Sequence, residues 1–137
     1  MKTRSIVIIF LFVTAWVYAD DRPTIDSLIG KRIYIEDAFA GQSFTLSKKK
    51  KDYMVSWVRH GSAVPAIRSQ KCKVRIDSNY QFRFSLDHPD EKNHEFMVSI
   101  SGKDEIKVYL NGVRIYVDGL WVKKRFPKDK RIQSLKD

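Results

Sequence analysis

The chain has 137 residues, a formal net charge of +10 and a single cysteine. This length fits one domain, and one cysteine excludes an intrachain disulfide framework. A domain of this size buries about two-thirds of its unfolded surface, so we expect it to fold without disulfides or metal ions.

The N-terminal segment has the three parts of a secretion signal. Two basic residues precede an apolar run over residues 6–17, and Ala19 stands directly before Asp20. This pattern is typical of a cleavable signal peptide, and the run is shorter than the ~20 apolar residues that span a bilayer. The sequence therefore predicts a signal peptide over residues 1–19, no membrane span, and a secreted or periplasmic protein.

From residue 20 to residue 124 the sequence predicts an antiparallel β domain. A short helix is expected within residues 20–29, and short strands separated by turn residues follow. The predicted strands are Lys31–Glu36, Gln42–Ser47, Tyr53–Arg59, Lys71–Asp77, Tyr80–Leu86, Glu95–Ile100, Ile106–Leu110, Val113–Val117 and Leu120–Lys124. Their alternation places one set of large apolar residues in the core: Phe44, Leu46, Val55, Trp57, Phe82, Phe84, Phe96 and Val98.

The clearest hairpin joins Lys71–Asp77 to Tyr80–Leu86, with Ser78 and Asn79 in the turn. Apolar and charged residues alternate along the first of these strands, as in a sheet with one solvated face. Cys72 lies in the apolar phase, so we expect it to point into the core as a small hydrophobic residue. The alternative is that this thiol joins two chains.

A second hairpin is predicted around Asn111-Gly112, which stands between two alternating runs. Asn-Gly favours a type I′ turn, because both central residues need a positive φ. Asp118-Gly119 is predicted as the next turn, which would make a three-stranded meander.

These short strands and tight turns predict an all-β meander that closes into a barrel, because closure removes exposed sheet edges. A β-sandwich is the alternative. Residues 125–137 are basic and contain Pro127, and they are expected to form a frayed tail or a short terminal helix.

The sequence predicts no catalytic constellation, cofactor or metal site. A nucleophile needs a base at hydrogen-bond distance and a third group that orients this base, which adjacent loop residues such as His60-Gly61-Ser62 rarely provide. The glycines are scattered singly rather than in a phosphate-binding loop. The loop with His88 and His94 matches no standard metal-ligand spacing and is expected to be solvated.

Basic residues form the strongest functional signal. A run of four lysines is predicted as a loop, and four further cations occupy the polar phase of the first hairpin, so we expect these four to share one sheet face. The candidate polyanion-binding residues are Lys48, Lys49, Lys50, Lys51, Lys71, Lys73, Arg75 and Arg83. Positive potential attracts polyanions, and aromatic side chains can add stacking contacts. The candidate aromatics are Tyr34, Tyr53, Trp57, Tyr109, Tyr116 and Trp121.

We therefore expect an exported, non-catalytic binding module with an anionic partner, which is a glycan, a lipid headgroup or an acidic protein. Secretion favours these partners over nucleic acid. Two alternatives stay open, namely a carrier of a small apolar ligand inside a barrel and an envelope or secreted inhibitor protein.

Overall fold

The computed structural model describes residues 21–35, 40–61, 68–87, 94–122 and 130–136. The predicted signal peptide lies outside these ranges. No helix within them has the length and apolar character needed to cross a membrane.

The described residues confirm the all-β prediction. A 3-10 helix over Ile25–Leu28 precedes eleven strands in the described ranges. The strands are β1 (Lys31–Ile35), β2 (Ala40–Lys49), β3 (Asp52–Gly61), β4 (Arg68–Lys73), β5 (Arg75–Ser78), β6 (Gln81–Leu86), β7 (His94–Ile100), β8 (Ile106–Leu110), β9 (Val113–Ile115), β10 (Val117–Val122) and β11 (Lys130–Arg131).

These strands form two antiparallel sheets. The six-stranded sheet has the order β11-β10-β1-β2-β3-β4, and the five-stranded sheet has the order β5-β6-β7-β8-β9. The chain crosses between the sheets at Val74 and again at Tyr116, each time across a single residue outside the strands. At these corners β4 does not pair with β6, and β8 does not pair with β10, so the described residues form no closed barrel. The barrel prediction is corrected on this point.

The core lies between the two sheets and contains the eight residues that the alternation predicted. Phe84 of β6 is central to it, because its ring centroid lies 4.9 Å from that of Phe96 and 5.1 Å from that of Phe44 on the opposite sheet. The buried Trp57 indole donates a 3.0 Å hydrogen bond to Gln42 Oε1. Packing of aromatic rings across the interface thus holds the sheets together.

The first predicted hairpin is divided between the sheets. Its strand breaks at Val74, so Lys71 and Lys73 belong to β4 and Arg75 belongs to β5. Cys72 is buried, with 4% of its surface exposed, as its phase predicted. Ile76 lies in the same phase and pairs with the buried Phe82, but it is 41% exposed because β5 is an edge strand of the five-stranded sheet.

The Asn111-Gly112 turn is confirmed, with φ of 50° at Asn111 and 81° at Gly112. The turn predicted at Asp118-Gly119 is wrong, because both residues lie inside β10. Gly119 is used instead for a close approach: a Cβ atom there would lie 2.9 Å from Trp121 Nε1 and 3.4 Å from Arg131 Nε. A glycine within a strand often marks such a contact.

The C-terminal segment packs on the six-stranded sheet rather than fraying. β11 pairs with β10, the Ile132 amide donates a 3.0 Å hydrogen bond to the Leu120 carbonyl, and Leu135 is buried. Lys31 Nζ donates to the Leu135 carbonyl. The predicted tail or helix is therefore wrong for residues 130–136, while residues 125–129 lie outside the described part of the chain.

Candidate functional site

A surface concavity of about 530 Å³ opens at the corner where β4 leads into β5. Four of the predicted polyanion-binding residues meet on its lining. The lining residues are Gln70, Lys71, Cys72, Lys73, Arg75, Arg83, Phe84, Ser85, Asp87 and Glu95. The expectation that these cations share one sheet face is wrong, because Lys71 and Lys73 belong to the six-stranded sheet and Arg75 and Arg83 to the five-stranded sheet.

The concavity exists because β4 and β6 diverge beyond the crossing at Val74. The two strands share no ladder, and a side chain bridges them instead, since the Asp87 amide donates a 3.1 Å hydrogen bond to Gln70 Oε1. The buried side chains of Cys72 and Phe84 lie at the bottom of the opening. The concavity thus has an apolar floor surrounded by charged side chains.

The two arginines of the lining are held by carboxylates. Asp77 accepts a 2.7 Å hydrogen bond from Arg83 Nε and lies 3.5 Å from Arg75 Nε. Arg83 also forms a 3.2 Å contact with Glu95 Oε1. Hydrogen bonds from Gln81 and Arg83 lower the pKa of Asp77, and the bond to Asp77 raises the pKa of Arg83. Arg83 is thus fixed in position, with part of its charge compensated.

Lys71 and Lys73 supply the uncompensated charge of the concavity. Both are exposed on β4, on either side of the buried Cys72. Neither makes an ion pair with the part of the chain that the structure describes. Their ammonium groups are therefore the positive charges of the concavity that are most accessible to an anion.

The lysine run predicted as a loop does not line this concavity. Lys48 and Lys49 end β2, and Lys50 occupies the following turn with a φ of 58°. Lys48 lies 3.8 Å from Asp26 and 4.8 Å from the centroid of the Tyr53 ring. The hydrogen bond to Tyr53 is the main cause of its raised pKa. Lys48 thus joins the β2–β3 hairpin to the 3-10 helix, and Lys49, Lys50 and Lys51 stay exposed.

Several predicted stacking residues are already used in structural contacts. Trp57 is buried, and the Tyr53 hydroxyl donates to Asp26. Tyr34 and Trp121 are half-buried and pack edge to face, with centroids 6.1 Å apart. The concavity itself therefore depends on charge more than on stacking.

Sequence reasoning missed the carboxylates of the site: Asp77, Asp87 and Glu95. Glu95 approaches Arg83 because β7 pairs with β6, so that Ser85 faces Glu95 and Arg83 faces Met97. A correct register between these strands was the signal that could have identified Glu95.

Burial lowers the reactivity of the Cys72 thiol, and this reactivity can be measured. Desolvation, with a smaller contribution from the charge of Asp87, raises the pKa of Cys72 to about 11. At pH 8 only about one thiol in a thousand is then ionised. We expect an aromatic disulfide reagent to leave the folded protein largely unmodified at pH 8 and to react rapidly in denaturant. The folded-state reaction should accelerate as pH rises towards 11; fast reaction at pH 8 would contradict the burial.

Searches against family models, curated proteins and solved structures return no match to this chain.

Proposed function

We propose that this chain is an exported, non-catalytic binding module that holds an anionic group of its partner in the concavity between β4 and β6. The proposal is supported by the meeting of Lys71, Lys73, Arg75 and Arg83 around one opening. The partner is a glycan, a lipid headgroup or an acidic protein. The secretion signal that the sequence predicts at the N-terminus favours an extracellular or periplasmic encounter.

Binding follows from the electrostatics of these side chains. Positive potential at the opening raises the rate at which an anion arrives. The ammonium groups of Lys71 and Lys73 then contact the anion, while Arg83, held by Asp77 and Glu95, offers a rigid donor. Each contact displaces counterions, so affinity falls as the salt concentration rises.

The carrier alternative receives less support from the packing. Phe44, Phe84 and Phe96 fill the space between the sheets where an apolar ligand would lie. An inhibitor of an acidic protein would use the same lysines as a glycan-binding module, so the choice of probe separates these two functions.

Chromatography on heparin-agarose tests the proposal. We expect the protein to be retained at low salt, to elute as salt rises, and to pass through uncharged agarose. Flow-through at low salt, or retention independent of salt, would count against an anionic partner. A second column carrying an acidic protein tests the inhibitor alternative.

A further inference from the structure

The outer face of the six-stranded sheet carries a row of polar side chains that starts at the concavity. The strand register aligns one residue from each strand, from β4 through β3, β2, β1 and β10 to β11. In that order the residues are Lys71, Ser56, Thr45, Arg32, Trp121 and Arg131. At ~4.8 Å between neighbouring strands, the row extends about 24 Å.

These side chains share the solvent-facing side of the sheet. Arg32 lies between the buried residues Lys31 and Ile33, and Thr45 lies between the buried residues Phe44 and Leu46. Because side chains alternate along a strand, the row residues point to the opposite side from the core. The row thus forms a continuous track leading away from Lys71.

The chemistry of the row matches an extended anionic chain. Lys71, Arg32 and Arg131 place positive charges at its two ends and between them, and the row itself contains no carboxylate. The hydroxyl groups of Thr45 and Ser56 lie between the cations and can donate hydrogen bonds. Arg131 is exposed and is positioned by a 3.1 Å hydrogen bond to the Asp118 carbonyl.

The single aromatic of the row distinguishes a glycan from a single-stranded nucleic acid. Trp121 is held edge to face by Tyr34, at an interplanar angle of 84°, and stands between Arg32 and Arg131 in the register. Nucleic acid recognition of this kind stacks successive bases on several aromatic side chains. One indole flanked by two guanidinium groups instead suits one sugar ring carrying anionic substituents.

We propose that the ligand is a linear sulfated polysaccharide, which enters the concavity at Lys71 and crosses the strands to Arg131. This inference rests on the proposed function, because it uses the same concavity as the start of the track. It adds the class of the ligand and the path that the polysaccharide takes across the sheet.

Heparin oligosaccharides of two lengths test the path by calorimetry. A tetrasaccharide covers part of the row, whereas a dodecasaccharide extends past both of its ends. We expect Arg131→Gln to weaken dodecasaccharide binding roughly three- to fivefold, the typical worth of one exposed charge pair, and to leave tetrasaccharide binding unchanged. Arg131→Lys should retain most of the affinity. Lys107→Gln, on the outer face of the other sheet, is the matched control and should change neither.

The outcomes separate the two proposals. Equal dodecasaccharide affinity in the wild type and in Arg131→Gln would overturn the path but leave the anion-binding function standing. Failure of both oligosaccharides to bind the wild-type protein would overturn the sulfated-polysaccharide ligand, whereas a lipid headgroup or an acidic protein would remain as partners for the proposed function. Tighter binding of an oligothymidylate of equal charge than of the dodecasaccharide would overturn the ligand class.

Discussion

Replacing Lys71 and Lys73 together by glutamate is expected to lower heparin affinity on the order of a hundredfold, because two attractive contacts become repulsive. Both side chains are exposed and unpaired among the described residues, so the fold should keep its stability to within about 0.5 kcal/mol. Calorimetry at fixed ionic strength measures the loss, and urea unfolding checks the stability.

The matched control is Lys103→Glu with Lys107→Glu, which makes the same change in net charge on the five-stranded side of the molecule. We expect this pair to lose only a small part of the affinity, because it does not line the concavity. Equal losses in the two double variants would mean that net charge alone governs binding, and the assigned site would then be wrong.

Phe84→Ala is expected to cost about 3–5 kcal/mol of unfolding free energy, the usual result of truncating a buried aromatic side chain. Phe84 contacts Phe96 within its own sheet and Phe44 across the interface, so its loss opens a cavity between the sheets. This is a large fraction of the total stability of a domain this size. Urea denaturation measures the change from the shift in midpoint.

Val113→Ala provides the control for this prediction, because Val113 is 68% exposed and lies at the edge strand β9. Its expected effect is below about 0.5 kcal/mol. A loss of less than about 1 kcal/mol in Phe84→Ala would show that the aromatic cluster is not the main link between the sheets.

Strand alternation was sufficient to predict the core, because each strand has one face against the opposite sheet. Phe44, Trp57, Phe84 and Val98 are all buried as their phases indicated. The Asn111-Gly112 turn was equally predictable, since its positive φ values restrict the residues that fit. These features depend on local sequence and on one simple periodicity.

The division into two sheets was not predictable in the same way. Apolar and charged residues keep alternating through Val74, so the sequence pattern hides the break between β4 and β5. In the sequence, Gly119 indicates a turn. Its actual role, which is to allow the close approach of Trp121 and Arg131, is visible only in the structure. Burial of Leu135 depends on where the chain returns, which is a tertiary property.

The candidate site also combines features that local sequence predicts with features that depend on the tertiary structure. The phase of the strand predicted that Lys71 and Lys73 would be exposed together. The carboxylates opposite Arg83 depend on the register between β6 and β7 and on the position of Asp77 beyond the break, and neither follows from local pattern. The lysine run was a clear feature of the sequence. In the structure, however, Lys48 contacts Asp26 and Tyr53 within the protein.

The role of the concavity is tested most directly by a nuclear magnetic resonance titration of the isotope-labelled protein with the heparin tetrasaccharide. Binding at this site predicts that the largest amide shifts fall on residues 70–75 and 83–87, with small shifts at Lys107, Tyr109 and Arg114 in the distant strands β8 and β9. Shifts concentrated in β8 and β9, or none at saturating ligand, would contradict it.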